Sequence, residues 1–115
     1  MKTDKVLSDF GLDALAAILH ENAIEKGFWD GDKHYDKFGM KLALVHSEIT
    51  EVLEALRKSK GSQEVVEEMA DTIIRLLDIY AALRNEELVY HSLDEVLHEK
   101  IEKNKGRQPL HGNQF

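Results

Sequence analysis

The sequence contains no cysteine and only one proline, Pro109. Without cysteine there is no disulfide framework and no thiolate metal site, so any metal must be held by oxygen or imidazole ligands. No apolar run approaches the roughly 20 residues that a membrane-spanning helix needs. The first residues, MKTDKVLSDFG, also lack the apolar segment of a signal peptide. These absences predict a cytoplasmic protein without a membrane span.

The charge and size narrow the class of protein further. A net charge of −7 argues against a nucleic-acid polymer as partner, because binding to a phosphate backbone depends on lysine and arginine. It does not exclude a nucleotide, since a bound divalent cation can reverse the local sign of the charge. With 115 residues, of which 43% are hydrophobic, the chain has the size and composition of one globular domain. We expect a single domain, residues 1–115, ending in a polar tail at residues 106–115.

The hydrophobic pattern is helical throughout. No segment alternates apolar and polar residues with a period of two, so we expect no strands. Apolar residues recur at spacings of three and four in four segments, and Gly27 is placed to stop the first. Short connections between long helices favour antiparallel neighbours. The sequence predicts an all-α antiparallel bundle of four to five helices. Four of them have predicted bounds: the first runs from about Asp9 to Lys26, the second from about Tyr35 to Lys58, the third from Ser62 as N-cap to Asn85, and the last from Ser92 as N-cap to Gly106.

Two pairs of acidic residues lie beside the apolar rows of the second and third predicted helices. Residues three apart project from the same side of a helix, and both pairs lie at similar heights from the connecting loop. The hairpin would therefore bring four carboxylates into one groove, where they would repel one another unless a hard cation such as Mg²⁺ bound them. The chain has 22 acidic residues, so solvated helix faces are the alternative. The pairs are Glu48 with Glu51 and Glu68 with Asp71. The apolar rows expected to face the core are Leu42, Val45, Ile49, Val52 and Leu56 in the second helix, and Val65, Met69, Ile73, Leu76, Tyr80 and Leu83 in the third.

Two other segments carry candidate binding residues. The stretch KIEKNKGRQPLHG is basic in an otherwise acidic chain. Its cations either suit the end of a helix dipole or form an anion clamp for a triphosphate, because arginine makes paired contacts to phosphate. Trp29, in the loop GFWDGDKHYDKFG, either stacks on a base or packs onto the end of the bundle. The candidates in the basic stretch are Lys103, Asn104, Arg107 and His111.

Four segments resemble the MazG-like, all-α nucleoside triphosphate pyrophosphohydrolases. SEITE at residues 47–51 and EMAD at residues 68–71 are similar to the E-E-x-x-E and E-x-x-D motifs of that superfamily, with Ser47 replacing the first glutamate. HENAIEKGFWD, residues 20–30, is similar to the segment before the first metal helix of its small members. KNKGRQPLHG is similar to their closing N-x-x-R-P-x-x-H-G. The resemblance extends over most of the chain.

This resemblance implies hydrolysis of a (d)NTP to monophosphate and pyrophosphate, in housekeeping of the nucleotide pool. It implies Mg²⁺, or Mn²⁺, held by the catalytic residues Glu48, Glu51, Glu68 and Asp71. Lys103, Asn104, Arg107 and His111 would contact the phosphates, and Trp29 would lie near the base. A homodimer or homotetramer would complete the bundle. Two alternatives stay open: a phosphoribosyl-ATP pyrophosphohydrolase-like enzyme, and a non-catalytic helical assembly module whose acidic rows are merely solvated.

Overall fold

The computed structural model describes residues 11–31 and 37–107, which form four helices and contain no strand. The prediction of an all-α bundle is confirmed. The predicted helix bounds Asp9 and Tyr35, and the predicted binding residue His111, lie outside the described residues. No described helix combines the length and hydropathy that crossing a membrane requires. The helices are α1 Leu12–Glu25, α2 Lys37–Arg57, α3 Ser62–Asn85 and α4 Leu93–Lys105.

Helix α1 ends where the sequence predicts, because glycine takes a conformation that other residues avoid. Gly27 has φ +81°, in the left-handed region, and its N–H donates to the Ile24 carbonyl at 3.0 Å. The N–H of Phe28 donates to the Ala23 carbonyl at 3.0 Å. Together these bonds form a Schellman motif, which satisfies carbonyls that the helix end would leave unpaired. The turn leads directly into Trp29.

The connection between α2 and α3 departs from the prediction by one residue. Helix α2 ends in the same hydrogen-bond pattern as α1, but Ser59 occupies the left-handed position, with φ 54°. The first turn of α3 is closed by the Val65 N–H donating to the Gly61 carbonyl at 3.2 Å. The prediction that Ser62 is the N-cap is therefore wrong. Gly61 is the N-cap and Ser62 is already helical, because Gly61 has the extended conformation that precedes a helix.

The starts of α1 and α4 cap each other. The backbone N–H groups of Leu12 and Asp13 donate to the Asp94 carboxylate at 2.8 and 2.9 Å, and the Asp94 N–H donates to the Asp13 carboxylate at 3.0 Å. Burial raises the pKa of Asp13, but hydrogen bonds from the Ser92 hydroxyl and the Asp94 backbone outweigh it and lower the pKa below its usual value. This reciprocal cap fixes the last described helix to the first.

The beginning of α4 follows the predicted capping sequence and also touches α3. The Ser92 hydroxyl accepts a hydrogen bond from the Glu95 N–H at 3.2 Å. The Tyr80 hydroxyl, on α3, accepts from the Leu93 N–H at 2.8 Å and donates to the His91 carbonyl at 2.7 Å. From Glu95 to its end at Lys105, every residue of α4 is exposed.

The core of the chain lies between α1 and the second half of α3. Leu15 and Ala16 pack there against Leu77 and Ala81. The two apolar rows predicted to face the core are largely uncovered instead: Val45 is buried, but Ile49 is 53% exposed and Ile73 is 54% exposed. That prediction is wrong for a single chain, because no described element packs over these rows. We use the name exposed apolar rows for the exposed residues in and beside these two rows: Leu42, Ile49, Leu53 and Leu56 of α2, and Val66, Met69, Ile73 and Leu76 of α3.

Candidate metal centre and adjoining cavity

A group of carboxylates forms where α2 faces α3. One oxygen each of Glu48, Glu68 and Asp71 lie within 4.8 Å of one another. The structure thus brings together three of the four residues predicted as ligands. Glu51, one turn after Glu48 on α2, is exposed and lies outside this group of three. We call Glu48, Glu68 and Asp71 the acidic group.

The surroundings of Glu68 raise the pKa of its carboxyl group. Desolvation raises the pKa of Glu68, and the charges of Asp71, Glu51 and Glu48 raise it further. Because the folded chain raises this pKa, the ionised form of Glu68 is disfavoured in the folded state. That penalty is absent below the ordinary pKa of a glutamate and develops as the pH rises through the raised value. A bound cation would instead favour the ionised form of Glu68.

The donor set fits a hard divalent cation. It consists only of carboxylate oxygens, which are the ligands that Mg²⁺, Mn²⁺ and Ca²⁺ accept, and Mg²⁺ keeps several of its waters. With Mg²⁺–oxygen distances of about 2.1 Å, two oxygens bound to one ion can be no more than roughly 4.2 Å apart. The three carboxylate oxygens, which lie within 4.8 Å of one another, would therefore move closer by side-chain rotation to share one ion.

Arg75 joins the acidic group and was not anticipated from the sequence. Its Nε donates to Oε1 of Glu48 at 2.8 Å, across the α2–α3 interface. Arg75 follows Asp71 by one helical turn and Glu68 by two, so all three lie along the same side of α3. This spacing could have predicted that Arg75 lies beside the two acidic residues of α3. It could not predict which residue of α2 the guanidinium contacts.

A cavity of about 330 Å³ opens beside the acidic group and extends to α1. This volume is at the lower end of the range for small-molecule sites. Carboxylates from both helices of the hairpin reach it, and so do cations. Its lining residues are Leu19, Asn22, Ala23, Lys26, Phe28, Glu48, Asp71, Ile74, Arg75 and Asp78.

Asp78 organises the wall of this cavity on the α1 side. Its Oδ1 lies 2.6 Å from Nδ1 of His20, and the Trp29 indole N–H donates to both of its oxygens at 3.1 Å. A carboxylate only accepts, so Nδ1 of His20 carries the proton. The two rings meet edge to face, with centroids 5.2 Å apart. Sequence reasoning missed Asp78, although it lies two turns after Asp71 on the same side of α3.

These contacts decide how Trp29 is held. The indole packs onto the bundle through Asp78, His20 and Phe38, whose ring centroid is 6.1 Å away. Trp29 itself does not line the cavity, although its neighbour Phe28 does. The packing alternative for Trp29 is therefore realised, and its contact with a base stays a prediction.

The predicted phosphate clamp is not at this cavity in the described part of the chain. Lys103 and Asn104 are exposed in the last turn of α4, and Arg107 follows it. No described residue of α4 lines the cavity. The clamp, including His111, stays a prediction.

In the described residues, facing helices bring together three carboxylates that could hold a metal ion, and a cavity lies beside them. Comparison with protein families gives a more definite result. Residues 39–111, more than half of the chain, match the MazG nucleotide pyrophosphohydrolase domain, and the chain belongs to this family. The resemblance seen in the sequence is confirmed. Neither a search of curated proteins nor a search of solved structures gives a match.

Family membership supports nucleotide pyrophosphohydrolase activity in general, which is hydrolysis of an acid anhydride. The matched region contains the acidic group, Arg75 and Asp78. His20 and Trp29 precede it, so the wall that Asp78 organises is built in part from residues outside the match.

Proposed function

We propose that the protein hydrolyses (d)NTPs to monophosphate and pyrophosphate with Mg²⁺, or Mn²⁺ in its place, in housekeeping of the cytoplasmic nucleotide pool. The observation that carries this proposal is the acidic group opening onto a cavity of about 330 Å³. Membership of the family supports the reaction class. The negative net charge is compatible with this substrate, because the cation supplies the positive charge that triphosphate needs.

Glu48, Glu68 and Asp71 hold the cation in this proposal, and Glu51 is the fourth acidic residue. Its charge already reaches Glu68, whose pKa it helps to raise. When bound, a divalent cation neutralises phosphoryl oxygens and lowers the pKa of a coordinated water. A carboxylate of this set that is not occupied by the cation accepts the proton of the attacking water as general base.

The remaining proposed contacts surround the phosphates and the base. The triphosphate lies in the cavity next to the acidic group, with the base toward Phe28 and Trp29. Lys103, Asn104, Arg107 and His111 are proposed to contact the phosphates. Because no described residue of α4 lines the cavity, a second copy of the chain is one possible source of these contacts.

We propose that the protein is a homodimer or homotetramer, and the exposed apolar rows support this. Large contiguous apolar surface is uncommon on monomers and indicates an interface. Leu53 is 52% exposed and Ile73 is 54% exposed, each in the middle of its row. Analytical ultracentrifugation of Leu53→Lys and Ile73→Lys should show a lower mass than the unsubstituted protein. Leu88→Lys, an exposed leucine outside both rows, should keep the original mass; equal masses for all variants would refute the proposal.

The decisive experiment is a pyrophosphate-release assay with canonical and damaged NTPs and dNTPs, in Mg²⁺ or Mn²⁺. The test variant is Glu48→Gln with Glu68→Gln, and the matched control is Glu95→Gln with Glu99→Gln on the exposed side of α4. Release that disappears only in the test variant supports the proposal.

Three other outcomes would contradict the proposal. Release that persists in the test variant would place the chemistry elsewhere. Turnover of phosphoribosyl-ATP alone would indicate the enzyme of histidine synthesis. No release from any nucleotide, with a melting temperature that metal leaves unchanged, would indicate a non-catalytic assembly module.

A further inference from the structure

Arg75 has hydrogen-bond donors that the protein does not use. Its Nε donates to Glu48, and within the part of the chain that the structure describes the guanidinium has no other hydrogen bond or ion pair. An arginine side chain has five N–H donors, four of them on the two Nη atoms. The side chain is 43% exposed and lines the cavity. Four charged donors are therefore available beside the acidic group.

The charges around the cavity make these donors significant. Among the described residues, Arg75 and Lys26 are the cations that line it, whereas Lys103 and Arg107 do not. The carboxylate of Asp78 is already engaged with His20 and Trp29. A polyphosphate in the cavity would carry several negative charges, and a cation held by the acidic group would neutralise only part of them. A guanidinium group binds phosphate through bidentate hydrogen bonds, which an ammonium group cannot make.

We infer that Arg75 is a phosphate-binding residue, whose Nε donates to Glu48 while its Nη groups donate to phosphoryl oxygens of a nucleotide in the cavity. This inference rests on the proposed function, which supplies the polyphosphate. It assigns Arg75 two partners at once, one in the metal centre and one in the ligand. The competing interpretation makes Arg75 only a counter-ion of Glu48.

The test is calorimetric titration, which does not depend on turnover. Inorganic triphosphate is the probe, so the base preference is irrelevant, and it is titrated at saturating Mg²⁺; Mg²⁺ alone is titrated separately. The variants are Arg75→Gln and Arg75→Lys. The control is Arg57→Gln, which removes the same charge from α2 at an exposed pair with Glu54. Circular dichroism verifies folding, which is expected because Arg75 is partly exposed.

We expect Arg75→Gln to weaken triphosphate binding about 10- to 100-fold, as loss of charge-assisted hydrogen bonds does. Its affinity for Mg²⁺ alone should be unchanged or higher, because a competing cation is removed. Arg75→Lys should be intermediate and Arg57→Gln unchanged. Equal triphosphate affinity in Arg75→Gln and Arg57→Gln would overturn the inference.

Two further results would also overturn it and are distinguishable. If Arg75→Gln weakened binding of Mg²⁺ alone by the same factor, Arg75 would act only by orienting Glu48. If the unsubstituted protein with Mg²⁺ bound no triphosphate, the proposed function would fail and this inference with it. Failure of the inference alone requires that the unsubstituted protein binds triphosphate and Arg75→Gln binds it equally well.

Discussion

Replacing Asp78 with asparagine should destabilise the protein, whereas the same replacement at Asp71, two turns earlier on α3, should not. The Asp78 side chain is only 15% exposed and accepts from both His20 and Trp29. Asparagine keeps the shape but has one acceptor oxygen and a donating NH₂ group. One of the two ring N–H groups would then face another donor. Asp71 is exposed and close to two other carboxylates, so its neutralisation removes repulsion.

The size of the effect follows from these contacts. A buried donor left without its acceptor costs about 1–3 kcal/mol, and hydrogen bonds to a charged group are at the stronger end of the usual range. We expect Asp78→Asn to lower the free energy of unfolding by about 2 kcal/mol. That is a large share of the roughly 5–15 kcal/mol that stabilises a typical domain. Asp71→Asn should leave the free energy of unfolding unchanged or raise it.

Urea denaturation at fixed protein concentration would measure both values. Trp29 is the only tryptophan in the chain, so its fluorescence reports the environment of Asp78 while circular dichroism reports the helices. The fluorescence of folded Asp78→Asn should also differ from that of the unsubstituted protein, because the indole loses its anionic partner. An Asp78→Asn variant within about 0.5 kcal/mol of the unsubstituted protein, or an equal loss in Asp71→Asn, would refute this reasoning.

Three further predictions concern stability. Because the pKa of Glu68 is raised, Glu68→Gln should raise the melting temperature of the metal-free protein at pH 8 and change it little at pH 4. In scanning fluorimetry, Mg²⁺ should stabilise the unsubstituted protein at pH 8 and stabilise it less as the pH falls. A stabilisation by metal that does not depend on pH would contradict this. Asp94→Ala should lower the free energy of unfolding, measured in urea, by about 1–2 kcal/mol, since the N–H groups of Leu12 and Asp13 lose their acceptors. Asp94→Asn should restore part of this loss, and an Asp94→Ala variant of unchanged stability would count against the cap. Ser59→Gly should raise the free energy of unfolding by about 0.5–1 kcal/mol, because glycine adopts a positive φ without strain. A decrease in the free energy of unfolding in the same urea assay would contradict this prediction.

The helices and the acidic group could be predicted from the sequence because both depend on local spacing. A period of three and four identifies a helix, and residues three apart on each of two joined helices predict convergence across a hairpin. Glu48, Glu68 and Asp71 meet for this reason. Ser62 shows the limit of such reasoning, because a residue type that favours an N-cap does not fix which residue adopts the N-cap conformation.

The partners of the site could not be predicted, because they depend on packing between distant segments. Nothing in the local sequence pairs Arg75 with Glu48, or Asp78 with His20, 58 positions away. Periodicity likewise showed that α2 and α3 have apolar rows, but not what covers them. In this chain α1 covers the opposite part of α3, and Ile49 and Ile73 are left exposed.

The reciprocal cap between α1 and α4 has a consequence for the order of folding. The Asp94–Leu12 bond joins residues 82 positions apart, whereas the Glu48–Arg75 bond joins residues 27 apart. Closing the longer loop costs more entropy, so the hairpin can form before the two ends of the described chain meet. Weakening the cap should then accelerate unfolding and leave the folding rate nearly unchanged. The acidic group would be assembled, and able to take a cation, while α4 is still undocked.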